Sequence, residues 1–97
     1  MSAKTAPALA KLDEFLPLVK ALPASPDSVT LLETTEALRR AVAAFHMEAI
    51  RFRMHTVDRL LKQRGDATAE RVFAEVRHEL EAAGFHTRSH AAPGQAS

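Results

Sequence analysis

Cysteine is absent from this chain of 97 residues. That excludes a disulfide framework, a zinc–thiolate site, an iron–sulfur cluster and a cysteine nucleophile. Tryptophan and tyrosine are absent too, and glycine occurs only three times. With so little glycine and no run of alternating β-branched residues, a sheet is not expected, and there is no glycine-rich phosphate loop. Neither sign of charge dominates: 13 Lys and Arg face 12 Asp and Glu, a formal net of +1. A basic excess for nucleic acid and an acidic excess for a solvating tail are both missing. No apolar run approaches the ~20 residues of a membrane span. Met1-Ser2-Ala3-Lys4 lacks the apolar stretch of a signal peptide. A single cytoplasmic domain that meets no membrane is the expectation, with no cofactor required.

What is present is helical periodicity. Three helices are expected, over about residues 5–22, 28–64 and 67–83, making one domain of residues 1–85 with a disordered tail at 86–97. In the first helix Leu9, Leu12, Leu16 and Val19 form an apolar stripe, and Pro17 predicts a kink or break by removing a backbone donor. A loop with two prolines follows. It offers two helix starts: Ser25 as cap before Pro26, or a capping box of Thr30 and Glu33. The third helix begins at the cap Asp66, just after Gly65. It carries the stripe Ala69, Phe73, Val76, Leu80 and Ala83, then ends at Gly84 with Phe85 turned back onto Leu80.

The central span carries the most information. No proline or glycine interrupts residues 28–64, so one continuous helix roughly 50 Å long is predicted. It bears two apolar stripes. One is Leu38, Val42, Phe45, Ala49, Phe52, Thr56 and Leu60; the other is Met47, Ile50, Met54, Val57 and Leu61. Together they span an arc of about 220°, more than one partner surface covers. The second stripe is assigned to the third helix, as an antiparallel hairpin. The first has no full-length partner within the chain: the N-terminal helix is expected to cover part of it and a second copy of the chain the rest, with Leu38, Val42, Phe45, Phe52 and Leu60 as the dimer interface. The fold class expected is therefore all-α: a helical hairpin with one very long central helix plus an N-terminal helix, dimerising into a bundle.

Between the stripes runs a polar seam of Arg39, His46 and Arg53, spaced by sevens. Buried charge needs a partner. Glu75 and Glu79 are the partners expected; the seam fixes register, holds a small ligand with Glu79, or is simply exposed because the helix bends or rotates. A metal reading rests on Glu48, Glu75 and His78, because Glu75 and His78 have the spacing of di-iron bundles. His86 and His90 add imidazoles. A weak nucleic-acid reading rests on Arg51, His55, Arg59 and Lys62. Arg64-Gly65-Asp66 spells an adhesion tripeptide, but a helix end and a helix cap account for all three residues. No catalytic set stands out. The function expected is a small interaction or regulatory module that pairs with itself and with another protein. A metal- or ligand-binding bundle and a weak nucleic-acid binder are the alternatives.

Overall fold

A computed structural model describes residues 5–85 as four helices: α1 (Ala6–Lys20), α2 (Pro26–Ala44), α3 (Met47–Arg64) and α4 (Ala67–Ala82). The chain is all-α, with no strand among the described residues. The expected tail at 86–97, with His86 and His90, lies outside them. α1 lies against α2 and α4, and α3 lies against the same two, so the helices close a four-membered bundle around one core.

One long central helix is not what forms. The span divides at Phe45 and His46, the two residues between α2 and α3. Phe45 takes the left-handed conformation (φ 58°, ψ 42°) and His46 is extended (φ −90°, ψ 96°). The His46 N–H donates to the Ala41 carbonyl at 2.9 Å, and the Phe45 N–H to the Val42 carbonyl at 3.1 Å. These are the two bonds of a Schellman helix end, which ordinarily seats glycine at the left-handed residue. Compactness gives the reason for the division. The longest dimension is 39 Å and the radius of gyration 12.9 Å, so a straight helix of about 50 Å would leave the core.

The division also accounts for the two stripes. From Val42 to Ile50 the helical phase slips by about 80° at 100° per residue. Turning the chain at Phe45 brings both sets to one core: Leu38 and Val42 from α2, and Ile50, Met54, Val57 and Leu61 from α3 are all buried. Leu60 is buried with them. Leu38, Val42 and Leu60 are thus covered by the chain's own helices in the closed molecule. Of the expected interface, Phe45 and Phe52 remain at the surface.

The other helices follow their local signals more closely. α1 continues through Pro17 to Lys20, so no break occurs there. Its buried side is Ala8, Leu12, Phe15 and Val19, with Leu9 and Leu16 half-buried beside it. α2 starts from Ser25, with Pro26 at the first helical position. The Ser28 N–H donates to Ser25 Oγ at 3.1 Å and the Ser25 N–H to Ser28 Oγ at 2.8 Å, a reciprocal capping box built from two serines. The alternative start at Thr30 is not used. Gly65 (φ 73°) ends α3, and Asp66 accepts from the Ala69 N–H at 2.9 Å to start α4. On α4, Ala69, Phe73, Val76 and Leu80 are buried, and the Phe73 ring lies 5.3 Å from that of Phe15. Gly84 (φ 104°) closes α4. The Phe85 N–H donates to the Leu80 carbonyl at 2.9 Å, and its ring is buried.

Candidate interaction surface

Large apolar side chains that stay in solvent are few, and three fall within eight residues of sequence. Phe45 is 43% exposed, Met47 46% and Phe52 52%; the fourth, Val29, lies near the start of α2 at 53%. Their positions follow from the turn between α2 and α3. Once α3 is rotated to bury Ile50, Met54, Val57 and Leu61, Phe52 falls on the opposite side of that helix. Met47, assigned from sequence to a buried stripe, sits at the first helical position, outside the core. Phe45 is partly covered, because its ring meets that of Phe85 edge-on with centroids 5.3 Å apart. The Arg53 guanidinium carbon stands 5.3 Å from the centroid of the Phe52 ring, a cation over an aromatic face. Helix α3 starts at His46 without a side-chain cap hydrogen bond.

The polar seam is not assembled. Its spacing by sevens holds only on a continuous helix, and the turn at Phe45 places Arg39 on α2 and Arg53 on α3. Among the described residues no ion pair or hydrogen bond joins Arg39, His46, Arg53 and Glu79. Arg39 instead makes a two-pronged bond to Asp13 of α1, with Nε to Oδ1 at 2.7 Å and Nη2 to Oδ2 at 3.3 Å. Arg39 therefore holds the Asp13 carboxyl below its ordinary pKa through that hydrogen bond, and the Arg39 guanidinium is raised in turn. Glu75 turns to Lys11 of α1, 3.2 Å away, and to Arg71 on its own helix. Its hydrogen bond raises the Lys11 ammonium pKa above the ordinary lysine value, with Glu14 adding to the effect. The seam's expected acid partners are thus displaced: Arg39 takes Asp13, and Glu75 takes Lys11. Asp13, not singled out from sequence, had one available signal, a carboxylate one residue from the buried Leu12 on the helix preceding α2.

The metal set is dispersed as well. Glu48 is exposed near the start of α3 and lies 4.0 Å from Arg51. Glu75 is engaged with Lys11, and His78 is exposed. Among the described residues no group of three or more His, Asp or Glu side chains is placed to hold a metal ion. The strip of Arg51, His55, Arg59 and Lys62 lies along α3, but Arg51 is near Glu48 and Lys62 pairs with Asp58 at 2.7 Å. Asp58 also accepts from Arg77 of α4 at 2.7 Å, so a buttressing carboxylate sits within the strip. A cleft of about 310 Å³ opens away from the α2–α3 turn, between Leu22 and Pro23 on one side and Asp66 and Ala69 on the other. Its one carboxylate, Asp66, is committed to capping α4. No helix among the described residues is long and apolar enough to cross a membrane.

No protein-family model matches the chain, and no curated protein or solved structure matches it.

Proposed function

We propose that this protein is a small helical-bundle interaction or regulatory module, which associates with a second copy and presents an apolar surface to a protein partner. The observation that supports this reading is that Phe45, Met47 and Phe52 are all exposed within one short stretch of chain. Aromatic residues and methionine are also the types enriched at protein interfaces. A Phe in the left-handed region adds to the case, since strained backbone tends to be kept where it serves a function.

Sedimentation of the purified protein over a wide concentration range tests the reading. The wild type is expected to show a concentration-dependent monomer–dimer equilibrium. Phe52→Glu is expected to weaken that association and to keep its melting temperature, because the ring lies outside the core. Val29→Glu, equally exposed but on another helix, serves as the control. A wild type that stays monomeric throughout would contradict self-association, and a Phe52→Glu protein that associates like wild type would remove Phe52 from the contact.

A further inference from the structure

We infer that the α2–α3 turn is a hinge, and that two copies of the chain exchange their α3–α4 halves across it when they dimerise. The inference rests on the self-association part of the proposed function and specifies its partner as a second copy of this chain. Three observations carry it. First, the turn is two residues long and holds a non-glycine residue, Phe45, at φ 58°. That conformation is unfavourable for L-residues, and short hinges under strain invite exchange between copies. Second, nothing in the local sequence demands a stop. Ala43-Ala44-Phe45-His46-Met47-Glu48 holds no glycine or proline, and none occurs between Asp27 and Arg64. Helix α3 also begins without a side-chain cap. In a continuous helix its first-turn N–H groups bond to the carbonyls of the preceding turn, and Phe45 returns to the right-handed region.

Third, the apolar pattern suits the exchanged form. A straight helix over residues 26–64 is about 58 Å long and exceeds the 39 Å of the whole closed molecule. It displays Leu38 and Val42 on one half and Ile50, Met54, Val57 and Leu61 on the other, out of phase by about 80°. One copy cannot cover both halves of such a helix. Two copies cover all four halves by re-forming the closed contacts between chains: α1 and α2 of one copy against α3 and α4 of the other. The Phe15–Phe73 contact and the Lys11–Glu75 ion pair, which join α1 to α4 across the hinge, become contacts between copies. The Arg39–Asp13 and Asp58–Arg77 pairs remain within a chain, because each lies inside one half.

The Lys11–Glu75 pair supplies the test. A zero-length carbodiimide joins a lysine amine directly to a carboxylate in contact with it, and Lys11 Nζ lies 3.2 Å from Glu75 Oε1. Equal amounts of unlabelled and ¹⁵N-labelled protein are unfolded together and refolded at high concentration. The dimer fraction is isolated and coupled, and the Lys11–Glu75 peptide pair is weighed by mass spectrometry. Exchange predicts about half of that cross-link as mixed-isotope species. A dimer whose cross-link is wholly single-isotope overturns the exchange and leaves self-association through the surface standing. Absence of any dimer overturns both. A second comparison is independent of cross-linking. Phe45→Ala and Phe45→Gly lose the same ring contact but differ in backbone preference: glycine suits the left-handed turn, alanine the continuous helix. The alanine variant is expected to dimerise at least about tenfold more tightly. Equal dimer constants for the two variants overturn the hinge.

Discussion

Phe45 and Phe85 meet edge to face, their ring centroids 5.3 Å apart and their planes at 77°. Each ring belongs to a Schellman helix end, Phe45 to that of α2 and Phe85 to that of α4. The contact ties the turn between α2 and α3 to the end of the last helix. The two rings differ in depth, since Phe85 is buried and Phe45 is not. Truncating Phe85 to Ala is expected to cost about 3–5 kcal/mol, as for a buried aromatic. Phe45→Ala is expected to cost only about 1 kcal/mol, the size of the aromatic pair itself. Urea unfolding measures both, and equal losses would contradict the assignment of one ring to the core and the other to the surface.

Gly65 is held at φ 73°, and a Cβ built there has no neighbour within 4 Å. Gly65→Ala should therefore destabilise through backbone strain alone, by about 1 kcal/mol. Asp66→Ala should cost a similar amount by leaving the Ala69 N–H without its carboxylate. Thermal melts of the two variants check this. An unchanged midpoint for Gly65→Ala would show that α3 does not end in the left-handed conformation.

Pro17 sits inside α1 at an exposed position. It withholds the N–H that would reach the Asp13 carbonyl. Because α1 continues past it without a break, Pro17→Ala is expected to restore that bond and raise stability by about 1–3 kcal/mol. A lower melting temperature in this variant would mean that the bundle depends on the geometry proline imposes.

The ion pairs of α1 make its docking sensitive to pH at both extremes. Asp13 has a lowered pKa in the fold, first because Arg39 hydrogen-bonds it. Its contribution is present above the unfolded value of about 3.9 and is lost as pH falls through the lower folded value. Lys11 has a raised pKa, first through Glu75. Its contribution is present below about 10.4 and is lost as pH rises through the higher folded value. Asp13→Asn should therefore flatten the acid side of a melting-temperature profile, and Glu75→Gln the alkaline side. The Asp13 pair is exposed and is worth about 1 kcal/mol or less. Profiles that neither substitution alters would show that these pairs do not form in solution.

Much of this arrangement was legible in the sequence where a signal is local. Ser25 before Pro26, Gly65 before Asp66, and Gly84 before Phe85 mark helix ends whose chemistry acts within a few residues. The α4 stripe was legible because its apolar spacing faces a single neighbour. The turn at Phe45 was not, because left-handed helix ends are signalled by glycine and phenylalanine gives no such sign. Only the width of the apolar arc carried that information, and it pointed equally to a second chain. The candidate seam depends on the same turn: Arg39, His46 and Arg53 align only if the helix is straight, and the turn puts Arg39 and Arg53 on different helices. On α1 the buried residues are Ala8 and Phe15 where the spacing predicts Leu9 and Leu16, because neighbouring apolar residues differ only in their packing, here that of Phe15 against Phe73.

The division of the central span can be measured directly. The chain has no cysteine, so cysteines placed at Thr30 and Gln63, both exposed, accept spin labels at those two positions alone. Pulsed dipolar spectroscopy on dilute protein then gives the distance between the start of α2 and the end of α3. A turn at Phe45 predicts a separation shorter than the molecule's longest dimension of 39 Å, with a longer population appearing as concentration favours the exchanged dimer. A single distance near 50 Å in dilute protein, the length of 33 residues of straight helix, would contradict the account.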